Sequence, residues 1–167
     1  MSHIEHKNQL HEPLKVMVVT ISDTRNELTD KSGRLMLELL KKKHFEVADY
    51  QIVKDEEKEI EAALLAGCQS DRIDVILTNG GTGLSKRDVT FEVMEKLLDQ
   101  RIPGYGELFR MLSYEEIGSA AMLSRASAGI RDNTILFSTP GSTGAVQLAM
   151  EKLILPELHH IAREIKK

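Results

Sequence analysis

Cysteine is nearly absent from this sequence. Cys68 is the single cysteine among 167 residues, which excludes an intramolecular disulfide and a zinc site built from several cysteines. Long apolar runs are missing as well, because no stretch approaches the roughly 18 residues of a membrane-spanning helix and the first residues lack the apolar region of a signal peptide. The sequence therefore predicts a cytoplasmic protein without a membrane partner.

An excess of basic charge is missing too. The formal net charge is −4, whereas nucleic-acid-binding domains usually carry a basic face, so we expect no nucleic-acid partner. The hydrophobic fraction of 41% and the charged fraction of 29% are ordinary for a globular protein. The polar start predicts a flexible tail over residues 1–14, and the remaining length fits a single domain over residues 15–167.

Apolar runs that alternate with helical patterns dominate the first hundred residues. Buried strands are predicted at Lys15–Ser22, Phe45–Val53 and Asp74–Thr78. Helices are predicted from Asp30 or Ser32 to about residue 43, at about 57–67, and from Thr90 to about residue 100. This alternation predicts an α/β fold with a mostly parallel sheet and helices on both of its faces.

The pattern changes towards the C-terminal end. A Pro-Gly pair breaks the chain, and Gly104–Gly118 is predicted to form a loop with short helices. Two short β-like runs, Ala126–Arg131 and Thr134–Thr139, are separated by an Asp-Asn pair that favours a tight hairpin turn. The final helix, at about 145–166, is expected to break or kink at Pro156.

The stretch Val75–Thr90, VILTNGGTGLSKRDVT, combines an apolar strand, a glycine loop and a helix start for which Thr90 is the predicted cap. Strand-to-helix turns of this kind hold anions in α/β proteins. The stretch is not a P-loop, because Ser85 stands where the last glycine belongs, and it is not a dinucleotide fingerprint, because Lys86 replaces the third glycine. A tight turn with a surface salt bridge is the alternative interpretation.

Four predicted strand ends carry polar or glycine-rich segments: Ser22–Arg25, Asp55, Thr78–Asp88 and Thr139–Gly144. These segments should meet at one edge of the sheet. Asp23, Asp55 and Asp88 would then face a basic, glycine-lined pocket, although Asp55 fits a solvated helix face equally well. Carboxylates beside phosphate-binding backbone indicate Mg²⁺ with a phosphorylated ligand, and hence phosphoryl or nucleotidyl transfer.

Six segments carry a family resemblance: TISDTR at 20–25, DKSG at 30–33, VKDE at 53–56, TNGGTGLSKRDVT at 78–90, MLSRASAGI at 122–130 and STPGSTGAV at 138–146. Through them the sequence resembles the MoaB branch of the MoaB/Mog family of molybdenum cofactor biosynthesis, over about Lys15–Lys166. The resemblance implies a Rossmann-like three-layer α/β/α domain. It also implies binding of molybdopterin, a pterin that bears a dithiolene and a terminal phosphate.

The resemblance further implies that molybdopterin is adenylylated with Mg-ATP and that pyrophosphate is released. Asp55 and Asp88 match the family's two functionally important acidic positions, where they would act in catalysis and hold Mg²⁺. Substrate and nucleotide are expected to bind at Ser22, Asp23, Gly80, Gly81, Thr82, Gly83, Pro140, Gly141 and Ser142. Lys86 and Arg87 are candidates for meeting phosphate charge, with a surface role for Arg87 as the alternative.

One motif departs from the adenylyltransferase pattern. Mog-type members carry PGNPNA after the last strand, whereas this sequence has PGSTGA at 140–145, so a molybdopterin-binding or scaffold protein without turnover is the alternative function. The resemblance also implies a homo-oligomer, a trimer or a hexamer, and other molybdenum cofactor biosynthesis proteins as partners. The aromatic and Met-containing segment Tyr105–Met122 is the expected interface, unless it folds back over the pocket.

Overall fold

The structure is a computed structural model that describes residues 13–167. The predicted tail therefore lies outside the described residues except for its last two positions. Leu14 is already buried against the core, and its carbonyl oxygen accepts a hydrogen bond of 3.0 Å from the backbone N–H of Glu46. Packing thus begins one residue before the first strand.

A single sheet of six strands forms the centre of the molecule. The strands are β1 (Lys15–Ile21), β2 (Glu46–Val53), β3 (Val75–Asn79), β4 (Gln100–Arg101), β5 (Ser127–Arg131) and β6 (Thr134–Thr139). Their spatial order is β2-β1-β3-β6-β5-β4. The first four of that order run parallel, and β5 and β4 run antiparallel to their neighbours. The predicted mostly parallel sheet with a hairpin near its C-terminal end is confirmed.

Helices cover both faces of the sheet and make three layers. They are α1 (Lys31–Lys42), α2 (Glu57–Gln69), α3 (Thr90–Leu97), α4 (Pro103–Ile117), α5 (Thr143–Ala149) and α6 (Leu155–Ile165), with a 3₁₀ helix at Gly118–Leu123 and a π-helical turn at Met150–Ile154. None of the described helices is long and apolar enough to cross a membrane.

Alternation within the buried strands supplies the two hydrophobic cores. Val18 and Leu77 pack with α1, α4, α5 and α6 on one face, whereas Val19 and Ile76 pack with α2 and α3 on the other. Each of these four side chains is fully buried. A strand that is apolar at consecutive positions therefore serves both faces, as parallel sheets between helical layers require.

The predicted loop over Gly104–Gly118 is wrong, because this segment is the longest described α-helix, α4. Pro103 stands in its first turn, where a missing N–H costs nothing, and Tyr105 and Phe109 lie one turn apart and are buried. The Pro-Gly pair that was predicted to break the chain instead begins this helix. Further along the helix, the missing side chain of Gly106 allows the helix to approach Ala126 closely, since an added Cβ would lie 2.7 Å from the carbonyl oxygen of Ala126.

The last helix does break near Pro156, as expected. The five residues before α6 widen into the π-helical turn, and Pro156 stands in the first turn of α6. The wider turn fits the missing proline N–H and its clash with the preceding turn. Helix α3 also ends earlier than predicted, at Leu97 rather than near residue 100. Gln100–Arg101 pairs at the sheet edge as β4 instead.

Strand order reverses beside β1 and thereby opens a crevice. The chain leaves β1 towards β2 on one side and returns to β3 on the other side. Helices α1 and α3 start beyond the carboxyl ends of these strands, so the connecting segments diverge there. Parallel α/β sheets bind ligands at such a switch point.

Candidate functional site

A cavity of about 420 Å³ lies at the carboxyl ends of β1, β3 and β6. Its lining residues come from five separate segments: Ile21, Ser22, Arg25, Asp55, Gly80, Gly81, Thr82, Gly83, Asp88, Leu123, Ser124, Pro140 and Gly141. The predicted convergence of the strand-end segments at one edge is thus observed. Most of the predicted binding residues line this cavity, and Asp23 and Ser142 do not.

The glycine loop is shaped by backbone that other residues rarely adopt. Gly80 and Gly81 have φ values of +102° and +71°. A Cβ on Gly80 would lie 2.1 Å from the carbonyl oxygen of Ile21, and a Cβ on Gly81 would lie 2.2 Å from Thr90 Oγ1. Both positions therefore need glycine for conformation and for space.

Two side chains outside the loop hold it in place. The Thr90 hydroxyl donates to the Gly80 carbonyl oxygen at 3.1 Å, and Thr90 is the first residue of α3 rather than the predicted cap. Arg125 donates from Nε to the Gly83 carbonyl oxygen at 3.1 Å and from Nη2 to the Asp88 carbonyl oxygen at 2.9 Å. Its guanidinium also lies 5.3 Å from the ring centroid of Phe91. The loop is consequently preorganised from both ends.

Asp55 and Asp88 bring carboxylates to the same glycine loop. Asp55 Oδ1 lies 3.3 Å from the point where a Cβ on Gly81 would stand, and Asp88 Oδ2 lies 2.9 Å from the corresponding point on Gly83. One oxygen of each carboxylate is used locally. Asp55 Oδ2 accepts from the N–H of Asp23 at 3.0 Å, and Asp88 Oδ2 accepts from the N–H of Ser85 at 3.0 Å.

The environment disfavours the charge on Asp55. Burial raises the pKa of its carboxyl group, and the nearby charges of Asp23 and Asp88 raise that pKa further. A cation that binds in the cavity would relieve this repulsion. Asp55 is therefore a carboxylate that a metal ion or a cationic group would stabilise, which is the pattern typical of functional sites.

Arg25 supplies positive charge to the cavity. Its Nη1 donates to Asn79 Oδ1 at 3.2 Å, and its Nη2 donates to the Gly141 carbonyl oxygen at 2.7 Å. Its Nη1 also lies 3.6 Å from Oδ1 of Asp30, a fully buried carboxylate. Among the described residues that line the cavity, Arg25 is the sole arginine or lysine.

Arg87 lies outside the cavity instead. Its guanidinium donates from Nε and Nη2 to both carboxylate oxygens of Asp23, each at 3.0 Å, and its Nη1 lies 2.8 Å from Glu56 Oε1. Half of the Arg87 side chain is exposed. The predicted pocket residue Asp23 is engaged in this surface cluster, and Lys86 is exposed.

The last loop contributes Pro140 and Gly141 to the cavity. The Gly141 carbonyl oxygen also accepts from Ser32 Oγ at 2.6 Å, which ties the loop to the start of α1. Ser142 turns away from the cavity lining, because its hydroxyl accepts from the N–H of Ala145 at 3.2 Å and caps α5. Its side chain therefore has a structural use that the resemblance alone did not reveal.

Sequence reasoning missed four cavity-lining residues as site residues: Ile21, Arg25, Leu123 and Ser124. Each of them stands inside a motif that carries the family resemblance, TISDTR or MLSRASAGI. The motifs therefore held the signal, but only the tertiary structure shows which motif residues face the cavity. Leu123 and Ser124 reach it because the 3₁₀ helix ends beside the glycine loop, where Arg125 donates its backbone N–H to the Thr82 carbonyl oxygen at 3.0 Å.

The donor set fits Mg²⁺ held jointly with phosphates. Within residues 13–167, no group of three or more His, Cys, Asp or Glu side chains could hold a metal by itself. Mg²⁺ commonly binds one or two carboxylates and completes its octahedron with waters and substrate phosphates. Asp55 and Asp88 match that arrangement, and the cavity offers them as the two carboxylates beside a glycine backbone.

Comparison with known proteins decides the family. The family model described as a probable molybdopterin binding domain matches residues 17–160. The molybdenum cofactor biosynthesis protein B of Bacillus cereus is 56% identical over 168 residues, which cover all of this chain and 99% of that protein. The chain belongs to the molybdopterin-binding domain family of molybdenum cofactor biosynthesis. The resemblance stated from the sequence is confirmed.

Solved structures of this family share the fold closely. The crystal structure of a molybdenum cofactor biosynthesis protein B superposes with a TM-score of 0.91 at 57% identity and covers 95% of this chain and 99% of that chain. The tungsten cofactor synthesizing protein MoaB from Pyrococcus furiosus superposes with a TM-score of 0.85 at 38% identity, with coverage of 95% and 100%. The three-layer α/β architecture is thus that of the family.

Proposed function

We propose that this protein binds molybdopterin in the cavity and adenylylates it with Mg-ATP, releasing pyrophosphate. One observation carries the proposal: the Asp55 and Asp88 carboxylates both abut the glycine loop of one cavity that also contains Arg25. This combination offers acidic groups for Mg²⁺, backbone for phosphate oxygens and a cation for the remaining negative charge. Phosphoryl and nucleotidyl transfers depend on such positioning and charge neutralisation.

In the proposed reaction, an oxygen of the molybdopterin phosphate attacks the α-phosphorus of ATP. A new phosphorus–oxygen bond forms, the bond between the α-phosphorus and its bridging oxygen breaks, and pyrophosphate leaves with that electron pair. Mg²⁺ would neutralise charge on the phosphates when it is bound. The protein contributes alignment, because the glycine loop is held by Thr90 and Arg125 before any ligand arrives.

Asp55 and Asp88 would hold Mg²⁺ through the oxygens that local hydrogen bonds leave available. Ser22 lines the same cavity as Asp55, and its hydroxyl accepts from the N–H of Arg25 at 3.1 Å. Gly81, Thr82 and Gly83 would approach the phosphates with their backbone.

The deciding experiment incubates the purified protein with molybdopterin, Mg²⁺ and ATP and measures adenylylated pterin and pyrophosphate. We expect both products in equal amounts. The matched control is Ser142→Ala, since Ser142 caps a helix and does not line the cavity. That variant should keep its activity although its melting temperature drops slightly, because loss of a helix cap costs about 1 kcal/mol.

A second candidate function is molybdopterin binding without turnover. The observation that favours it is the last loop, where Ser142 is used as a helix cap and PGSTGA replaces the adenylyltransferase-type sequence. Retained pterin binding with no adenylylated product would establish this candidate. It would also reject the enzymatic proposal for this chain.

We also propose that the protein is a homo-oligomer that assembles through α4. Four large apolar side chains, spaced three residues apart, are exposed along the outer half of this helix, between 48% and 62% each: Leu108, Met111, Tyr114 and Ile117. The opposite face holds Tyr105 and Phe109, which are buried in the core. The helix therefore does not fold over the cavity, and its outer stripe is the kind of exposed patch that marks an interface.

Substitution of Met111 tests the assembly. Met111→Lys places a charge in the middle of the stripe and should produce a monomer in sedimentation velocity at micromolar concentration. The wild type should sediment as a trimer or a hexamer. Lys58→Met on the exposed side of α2 is the control, and it should leave the sedimentation coefficient unchanged. A wild-type monomer at micromolar concentration would reject the proposal.

A further inference from the structure

Arg25 and Arg87 both stand near the strand-end carboxylates, but only one of them can meet a ligand in the cavity. Arg87 is committed to Asp23 and Glu56 on the surface. Arg25 lines the cavity, and 30% of its side chain is exposed. The phosphate-facing role that sequence considerations offered to Arg87 is therefore better filled by Arg25.

The hydrogen-bond inventory of Arg25 leaves donors for a ligand. A guanidinium carries five N–H groups, and within the described residues Arg25 uses two of them, one to Asn79 Oδ1 and one to the Gly141 carbonyl oxygen. Arginine presents its donors in a planar fork that matches two phosphate oxygens. The remaining N–H groups are thus of the right kind for an anion in the cavity.

A buried network holds the Arg25 side chain in one place. Asp30 lies 3.6 Å from the guanidinium and is itself fixed, because its Oδ1 accepts from the N–H of Gly33 at 2.9 Å and its Oδ2 accepts from the Tyr50 hydroxyl. Asn79 is fixed in turn by its donation to Thr20 Oγ1 at 2.9 Å. Preorganised charge binds an anion without a further ordering cost.

Charge balance within the cavity points the same way. Asp55 and Asp88 are carboxylates, which repel phosphates unless a cation intervenes. Mg²⁺ on these carboxylates would serve the phosphates at the glycine loop, whereas Arg25 lies beside Gly141, on the loop that follows β6. We infer that Arg25 is the anion-binding side chain of this cavity and holds a phosphate group beside Gly141, oriented by the buried Asp30. This inference rests on the proposed function for the identity of the natural ligand.

The test measures binding of inorganic triphosphate in excess Mg²⁺ by isothermal titration calorimetry. Arg25→Met should weaken binding about 10–100-fold, the scale of a lost charge-assisted hydrogen bond. Arg25→Lys should recover part of the loss, because it keeps the charge but not the fork. Arg87→Met is the matched control, with an expected change below about 2-fold because its partners lie outside the cavity.

Two further measurements distinguish a ligand-binding role of Arg25 from a structural role. Methylguanidinium added to Arg25→Met should restore triphosphate binding, which it would not do if the substitution had only disturbed the fold. Arg25→Lys serves as the test variant if Arg25→Met does not fold. Wild-type affinity in Arg25→Met, an equal loss in Arg87→Met, or no triphosphate binding by the wild type would each overturn the inference.

Failure of the proposed reaction gives a different result from failure of this inference. Arg25-dependent triphosphate binding together with no adenylylated pterin would remove the reaction and leave Arg25 as an anion ligand. Adenylyl transfer that is unaffected by Arg25→Met would support the proposed reaction and reject the anion-binding role of Arg25.

Discussion

Two arginine–aspartate clusters lie on either side of the candidate site and differ chiefly in burial. Asp30 is fully buried, and the Arg25 beside it has 30% of its side chain exposed. Asp23 and Arg87 have side chains that are 35% and 51% exposed. The inner cluster has the longer ion-pair distance, 3.6 Å against 3.0 Å. Distance alone would therefore rank the two clusters in the wrong order.

The comparison shows that burial together with complete hydrogen bonding, rather than ion-pair distance, indicates on which charged groups the fold depends. The Asp30 carboxylate caps α1, accepts from Tyr50 and pairs with Arg25, so its removal takes the acceptor from the Gly33 N–H and from the Tyr50 hydroxyl. Removal of Arg87 leaves groups that water can solvate. Exposed ion pairs are worth little on average, whereas unpaired buried groups are costly.

The largest effect is expected for Asp30→Ala. This change removes a helix cap, leaves the Tyr50 hydroxyl without its acceptor and removes the carboxylate that pairs with Arg25, which should cost about 2–4 kcal/mol of unfolding free energy. The melting temperature should drop by roughly 5–15 °C. Asp30→Asn is the control, since the amide oxygen can still cap α1, and it should lose less. Equal melts for Asp30→Ala and the wild type would show that the inner cluster is not structural.

Asp88→Asn should have the next largest effect, on rate rather than on stability. The asparagine side-chain oxygen can still accept from the N–H of Ser85, so folding and pterin binding should stay near normal. Loss of one electrostatic stabiliser costs about 10²–10³ in rate, and we expect adenylyl transfer to drop by that factor in a single-turnover assay. Unchanged rates would remove Asp88 from the mechanism, and a large drop in melting temperature would show a structural role.

Asp55→Asn should affect stability and function separately, and its effect on the melting temperature should be smaller than that of Asp30→Ala. Because burial, Asp23 and Asp88 raise the pKa of the Asp55 carboxyl group, its ionised form opposes folding above that raised pKa. The penalty disappears as the pH falls through the folded pKa towards the unfolded value. Without metal, Asp55→Asn should melt about 1–3 °C higher than the wild type at neutral pH. This difference in melting temperature should disappear as the pH is lowered.

Added Mg²⁺ should reverse the order of the two melting temperatures, so that the wild type melts higher than Asp55→Asn. The wild type should gain melting temperature from the metal, and Asp55→Asn should gain little, because ligand binding stabilises only a protein that can bind. A stabilised variant without activity is a common outcome at functional sites. A lower melt for Asp55→Asn at neutral pH without metal would contradict the repulsion inferred from its surroundings.

Much of the inner architecture could be predicted from sequence because it depends on local patterns. The apolar runs of β1 and β3 require burial on both faces, and Gly80 and Gly81 adopt a conformation that other residues rarely adopt, so strands and glycine loop were predicted near their observed bounds. Helix α4 was missed, since the Pro-Gly pair at its start was interpreted as a chain break, although proline fits the first turn of a helix.

The choice of arginine for the site could not be made from local patterns. Arg87 stands beside Asp88 in the sequence and was the natural candidate for phosphate charge. Arg25 joins Asn79 and Gly141 across long chain separations, and only the sheet order brings them together. Residues whose role depends on a crossover between strands are those that sequence reasoning alone could not assign.

The smallest effect is expected for Arg87→Met, although this arginine makes more close contacts with carboxylates than Arg25 does. Its partners are exposed and can be solvated, so we expect a change in melting temperature within about 1 °C at physiological salt. The sensitive measurement is an NMR titration of Asp23. Hydrogen bonding from Arg87 is the main cause that lowers the pKa of the Asp23 carboxyl group, so that pKa should rise in the variant. Because a lowered carboxyl pKa stabilises the folded state in full above the unfolded pKa and progressively less below it, any difference in melting temperature should vanish as the pH falls through the lowered pKa. A drop as large as that of Asp30→Ala would mean that the outer cluster, which joins the segments after β1, β2 and β3, holds the site together after all.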